Sequence, residues 1–333
     1  MADKIKVAVV GVGEFGRQHV RVYRALEEAE LVGVFDTDPD RAQAVAKEYE
    51  TRAFASLDEV AQATRAVSVA VPTRDHARVG LELLRRGCDV LVEKPIAASL
   101  AEADELIRAA EQAKRILQVG HTERFNPAVQ AAARIVTQPL FFEVHRLGGF
   151  SGRSLDVDVI FDVMIHDLDI LLTFVNAPVE QVHAVGIPIL SPRVDIASVR
   201  LEFANGCVAN LTASRVSTDK VRKLRFFQPR EYVSVDYTRR DALLIRLNEK
   251  TSGPPLLPGL PAGLEIRKLE AEAEEPLRAE LRAFLEAVRT RESRPVTGAE
   301  GRRALELAER VAAAIAAHAR KLPATLTAAT PHG

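Results

Sequence analysis

Three glycines and one acid near the start of the chain lay out a chemistry for binding phosphate and ribose. The apolar run Ile5–Val10 leads straight into Gly11, Val12, Gly13, Glu14, Phe15 and Gly16, and a stretch of helical periodicity follows. Glycines at this spacing allow a tight turn, close approach of backbone to a pyrophosphate, and close packing of helix on strand. Unpaired N–H groups at the helix start then face the negative oxygens. A second apolar run ends at Asp36, at the spacing of about 20 residues that such a motif needs. A carboxylate there accepts hydrogen bonds from both ribose hydroxyls and repels a 2′-phosphate. The expected cofactor is therefore NAD, held by Gly11, Gly13, Glu14, Phe15, Gly16 and Asp36. The glycines alone fit any strand–turn–helix; the strand before, the helix after and the acid on schedule favour the dinucleotide.

Dehydrogenation of an alcohol needs more than a nicotinamide. A base must take the hydroxyl proton, and a polar group must hold the oxygen. Such groups belong at the carboxyl ends of parallel strands. Glu93, Lys94 and Pro95 follow the apolar run 89–92 directly, so Lys94 either projects into the cofactor crevice or is a solvated loop lysine. Asp162, His166 and Asp169 stand at i, i+4 and i+7 of a strongly apolar helix over 160–175, on one face. Flanking carboxylates fix a histidine's tautomer and raise its basicity, as a general base requires. They equally satisfy a structural histidine, and the helix alone leaves both readings open. Asp167 falls off that face and is expected to meet solvent or a neighbouring helix. Pro72, Thr73 and His76 either line the nicotinamide side of the crevice or simply begin the next helix. Gly120, His121, Arg124 and Asn126 follow the last strand of the series and are expected near both ligands.

Those side chains need a scaffold. From Ile5 to about Val119, short apolar strands alternate with helices, which predicts a parallel sheet covered on both faces. Asp38-Pro39 opens a helix through Tyr49, and Ser56 with Glu59 and Ser99 with Glu102 have capping-box spacing. Strands are expected at 67–71, 89–93 and 116–119, with a helix ending at Gly87, and Asn126-Pro127 caps a helix leading onward. Past Leu140 the pattern becomes β-rich. Strands are expected at 141–147, 182–189, 196–203, 207–214, 223–228, 232–237 and 243–247, with Asn205-Gly206 as a type I′ hairpin turn. Hairpin-linked strands imply an antiparallel sheet, hence an α+β second domain. Residues 251–262 are expected to be irregular, 277–288 and 300–317 helical, and the tail after Leu322 frayed.

Composition sets the outer bounds. A hydrophobic content of 47%, a charged content of 27% and a net charge of −1 fit a globular protein attracted to neither nucleic acid nor an anionic membrane. Arginine far outnumbers lysine, so one arginine is weak evidence for phosphate binding. The start lacks the pattern of a signal peptide, and no window approaches the ~20 apolar residues of a membrane span. Cys88 and Cys207 have no metal-ligand spacing, so thiols in a reducing, cytoplasmic setting and no metal are expected.

On these residues the chain resembles the glucose-fructose oxidoreductase/inositol dehydrogenase/rhizopine catabolism family (Gfo/Idh/MocA). The resemblance spans essentially the whole length. It rests on Gly11 to Gly16, Pro72 to His76, Glu93-Lys94-Pro95, Gly120 with Arg124-Phe125, and the run from Asp162 to Asp169. It implies an N-terminal Rossmann domain over 1–123 that holds NAD. It implies a C-terminal α+β domain over 124–333, whose open, mainly antiparallel sheet supplies the sugar pocket and the contact of a homodimer or homotetramer. Carried over, Lys94 bonds the reacting hydroxyl, His166 is the acid/base, and Asp162 orients or relays. Pro72, Thr73, His76, Glu93 and Lys94 then border the cofactor; Lys94, Arg124, Asp162 and His166 border the substrate.

One departure narrows the substrate. The family's glycine-rich run before the aspartate is absent, and Met164 replaces an inner glycine. That variant is similar to the UDP-N-acetylglucosamine 3-dehydrogenase branch, which makes a 3-keto sugar that a partner aminotransferase converts to an amine for lipid A-type glycolipids. A UDP-sugar is thus the expected substrate, its charge available to Arg146, Arg153, Arg215 and Arg222. A dehydrogenase of a free sugar or inositol is the alternative. A non-catalytic NAD-binding regulator is disfavoured by the presence of both Lys94 and His166.

Overall fold

A computed structural model describes residues 3–150, 157–248, 263–292 and 296–321. Arg153, the expected loop 251–262 and the tail after Leu322 lie outside the described residues. Two units are distinguished: Met1–Phe125 with Glu274–Leu305, and Asn126–Ala273 with Glu306–Gly333.

The first unit alternates β1 (Ile5–Val10), α1 (Glu14–Ala25), β2 (Ala29–Phe35), α2 (Pro39–Glu48), β3 (Arg52–Ala53), α3 (Leu57–Ala63), β4 (Ala66–Val69), α4 (Thr73–Arg85), β5 (Asp89–Glu93), α5 (Leu100–Ala113) and β6 (Leu117–Gly120). Its parallel sheet runs β3-β2-β1-β4-β5-β6. The order reverses between β1 and β4, the point where doubly wound sheets bind ligands. Val7, Ala8, Val9 and Val10 are all buried, as in a strand covered on both faces. The serine caps form as expected: Ser56 Oγ accepts from Glu59 N at 3.2 Å and Ser99 Oγ from Glu102 N at 3.3 Å. Each returning carboxylate reaches one residue further back, to Ala55 N and Ala98 N. Strand β3 was not expected; two residues carry no readable period.

Helix α8 (Pro276–Thr290) belongs to this first unit, whereas the sequence reading gave all of 124–333 to the second domain. Its Leu281, Phe284, Leu285 and Val288 recur at helical spacing and join the core formed by Val7, Val9, Val20 and Tyr23. A hydrophobic period reveals a buried face but not the sheet that buries it.

The second unit begins with α6 (Pro127–Ala133), followed by β7 (Phe141–Leu147) and α7 (Ile165–Phe174). Then come β8 (Val179–Ile187), β9 (Ile196–Phe203), β10 (Val208–Ser214), β11 (Val221–Gln228), β12 (Glu231–Asp236), β13 (Asp241–Leu247) and β14 (Leu264–Lys268). The sheet order is β14-β13-β12-β11-β7-β10-β9-β8, antiparallel except where β7 meets β10. Phe174 of α7 packs on Phe142 and Phe226 of one sheet face. On the opposite face Phe141, Phe227, Tyr232, Ile245 and Ile266 stand in register across five strands. Helix α9 (Gly298–Ala319) closes the described chain.

Three details differ from expectation. The helix expected over 160–175 opens with a π turn, Ile160–Met164, in which Ile165 N bonds Ile160 O. The hairpin at Asn205-Gly206 forms, but only Gly206 takes positive φ, at +83°. Its N–H bonds Phe203 O at 2.9 Å, so a turn followed by a left-handed glycine replaces type I′, which needs two positive φ angles. Strand β14 was missed because its largely exposed, charged residues have no buried face to mark a period.

Candidate active site

The glycine turn divides its residues between the chain's own needs and open space. Gly11 has φ +83°, and a β-carbon there would lie 2.7 Å from Ala70 O. At Gly16 the same atom would lie 1.8 Å from Gly11 O. Both glycines are therefore demanded by packing. Gly13 is different: a β-carbon there meets nothing within 4 Å. It is the N-cap of α1 and makes no side-chain cap, so the helix presents uncapped N–H groups to open space. Phe15, 63% exposed, and Glu14 flank that opening. Asp36, at the end of β2, is 8% exposed. Its Oδ2 accepts from Val12 N at 2.8 Å and its Oδ1 from Asp38 N at 2.9 Å, with Arg41 Nη1 at 3.3 Å. The bare glycine, the uncapped helix start and the fixed buried carboxylate fit pyrophosphate and ribose.

Lys94 follows β5 and is joined to Pro95 by a cis peptide. Its neighbours tie this turn to the sheet. Glu93 Oε1 lies 2.9 Å from His19 Nε2 of α1, and Glu93 Oε2 accepts from Lys94 N at 3.2 Å. A β-carbon on Gly120 would lie 2.9 Å from the Glu93 carboxyl, so a larger residue there would have to displace that group. Burial pushes the Glu93 carboxyl up, but the His19 bond and the Lys94 charge outweigh it and hold it below its usual value. His76, 1% exposed, places Nδ1 2.8 Å from Pro95 O and Nε2 2.9 Å from Val71 O. Burial lowers its pKa, against the raising effect of both carbonyls. The structure thus places His76 and Glu93 as ties of the Lys94 turn, beside Pro72 and Thr73 at the start of α4. His19 was missed; its inward position on α1 carries no sequence signal distinct from core packing.

Arg124, expected at the substrate, bonds Glu300 Oε1 at 2.9 Å near the start of α9. Burial raises the Glu300 carboxyl, while the Thr297 N–H and Arg124 bring it below its usual value. His121 is buried. Asn126 caps α6 through Ala128 N at 3.1 Å and donates to Tyr237 O at 3.1 Å.

In the second unit, Asp162 lies within the π turn and His166 in the first turn of α7, both partly accessible. Asp169, expected on their face, is buried. Asp167 does not meet solvent. It is 1% exposed and accepts from Arg146 Nε at 2.7 Å, Arg146 Nη2 at 2.9 Å and the Tyr237 hydroxyl at 2.9 Å. Arg146, read as available to a diphosphate, is therefore a buried partner of Asp167. The signal was legible: Arg146 shares its period-2 phase on β7 with Phe142 and Val144. Arg215 is likewise engaged, with Asp195 Oδ1 at 2.8 Å and Val157 O at 2.8 Å. Arg222 is exposed on β11. Among the described residues no group of three His, Cys, Asp or Glu could hold a metal, and no helix is long and apolar enough to cross a membrane.

Comparison with known proteins bears on both units. Residues 5–121 match the oxidoreductase family with an NAD-binding Rossmann fold, and residues 145–229 match the GFO/IDH/MocA C-terminal domain. The UDP-N-acetylglucosamine 3-dehydrogenase of Acidithiobacillus ferrooxidans is 37% identical over 316 residues, covering 94% of this chain and 98% of that protein. Its solved structure superposes with a TM-score of 0.89 at 36% identity, over 95% of this chain and 99% of that one. An inositol 2-dehydrogenase of Rubrobacter xylanophilus is 30% identical over 230 residues, 65% of this chain and 66% of its own length. A levoglucosan dehydrogenase solved with NADH and levoglucosan shares the fold, with a TM-score of 0.83 at 16% identity over 95% of this chain and 98% of that one. Matched in both units and along nearly its full length, the chain belongs to the Gfo/Idh/MocA family and is an NAD-dependent dehydrogenase.

Proposed function

We propose that this enzyme oxidises the 3-hydroxyl of UDP-N-acetylglucosamine to a ketone. The observation that carries the reading is the 37% identity to a dehydrogenase of that substrate across 94% of the chain. NAD, when bound, supplies the hydride acceptor. His166 takes the hydroxyl proton as the carbon–hydrogen bond breaks, and the products are ketone, NADH and a proton on the imidazole. Asp162 orients that imidazole, and Lys94 holds the hydroxyl oxygen as charge builds on it. The Lys94 turn is suited to the role because Glu93 and His76 fix its backbone. Arg146 and Arg215 are already paired with aspartates, so the diphosphate falls to other cations.

The rest of the proposal follows from the same reading. The first unit carries the NAD-binding role and the second the substrate role, in the cytoplasm. The product passes to an aminotransferase supplying a lipid A-type glycolipid. The register-aligned stripe Phe141, Phe227, Tyr232, Ile245 and Ile266 supports a homodimer or homotetramer, which sedimentation velocity would reveal. Inositol or a free sugar is the second reading, favoured by the 30% identity to an inositol 2-dehydrogenase. A substrate panel followed at the reduced-cofactor absorbance, with an aminotransferase drawing off the ketone, separates them. NADH should rise with UDP-N-acetylglucosamine; a rise with inositol or glucose alone would overturn the assignment.

A further inference from the structure

A guanidinium occupies the inner face of β7 where the alternation of Phe142 and Val144 calls for a third apolar side chain. Removing a charged pair from water offsets most of the attraction between its members, and an apolar pair of similar volume is often at least as stable. Stability therefore does not account for Arg146 and Asp167. Geometry does. The guanidinium grips the carboxylate with two parallel bonds of 2.7 and 2.9 Å, an arrangement that fixes direction as well as distance. Tyr237 locks the pair from a second side. Its hydroxyl donates to Asp167 at 2.9 Å, its ring lies 4.5 Å from the guanidinium carbon, and its carbonyl is held by Asn126.

Asp167 adjoins His166, and both stand in the first turn of α7, directly after the π turn. A π turn departs from α geometry and is often found at functional sites, and α7 beyond it is oriented by the side chains it buries, of which Asp167 makes the directional bonds. Successive α-helical residues are separated by about 100° around the axis; pinning the direction of Asp167 pins that of His166. We propose that Arg146 is a positioning residue for His166, acting through Asp167. The inference rests on the reading of His166 as the acid/base.

Two changes test it. Arg146→Lys keeps the charge but loses the paired bonds. The double variant Arg146→Met with Asp167→Leu keeps the volume buried without charge. Each is assayed for kcat, KM and NAD affinity, and for the His166 ring resonances, identified as those lost in His166→Asn. Both should fold and bind NAD as the wild type does, shift the ring resonances, and lose kcat by roughly 10- to 100-fold, as small misplacements do. Unmoved resonances with wild-type kcat would overturn the proposal, as would lowered stability with an unchanged kcat per folded molecule. Should His166→Asn itself keep full turnover, the acid/base reading falls, while the resonances still decide whether Arg146 sets the ring.

Discussion

The carboxylate of Asp36 accepts the backbone N–H of Val12 at 2.8 Å, joining the end of β2 to the glycine turn after β1. One acid thus shapes the turn, and its proposed second role is to take a ribose on its remaining lone pairs. Asp36→Ser should weaken NAD binding about 10-fold, near 1.4 kcal/mol, and narrow the preference over NADP, since the Asp36 charge that repels a 2′-phosphate is gone while Arg41, still paired with Asp38, stays beside it. Calorimetric titration of both cofactors reads this directly. An unchanged NAD/NADP ratio would remove Asp36 from cofactor selection.

The glycines separate fold from ligand. Gly16→Ala forces a β-carbon into the Gly11 carbonyl and should destabilise by about 1–3 kcal/mol, visible in a thermal melt. Gly13→Ala meets open space and should change stability by about 1 kcal/mol or less while weakening NAD binding. Equal losses of stability in the two variants would contradict the division.

His76 gives stability a pH dependence whose sign is fixed. Its folded pKa lies below the usual 6.5 because burial disfavours the imidazolium. Between the folded value and about 6.5 the unfolded chain binds the extra proton, so stability from this group is complete above about pH 6.5 and is lost as pH falls. Urea unfolding across that range should show the loss in wild type and less of it in His76→Gln. An identical slope in both assigns the titration elsewhere.

Replacing Lys94 with Met, or His166 with Asn, should lower kcat by about 100-fold or more while leaving NAD affinity nearly unchanged. Steady-state kinetics beside fluorescence titration of NAD makes the comparison. A variant that loses cofactor and turnover together would mark a binding residue instead.

Much of this was legible in the sequence where a local rule applies. The Ser56 and Ser99 caps depend on neighbours within one turn, and the glycine turn and Asp36 on the spacing of one strand–helix–strand unit; all appear where their spacing put them. What escaped depends on contacts distant in sequence. Nothing in α8 announces that it packs on β1 and α1. Nothing near Glu93 names His19 as its partner. Asp167 looked peripheral because only its own helix was in view; Arg146 and Tyr237 come from elsewhere in the unit. The π turn at Ile160–Met164 shifts local geometry without changing the apolar pattern that predicted a helix.

The decisive measurement follows one hydrogen. UDP-N-acetylglucosamine carrying deuterium only at carbon 3 is turned over with NAD, and the reduced cofactor is weighed by mass spectrometry. The label should appear in NADH, with turnover slowed relative to unlabelled sugar. Unlabelled NADH from the same substrate would mean that the hydride leaves another carbon, and the proposed reaction would be wrong.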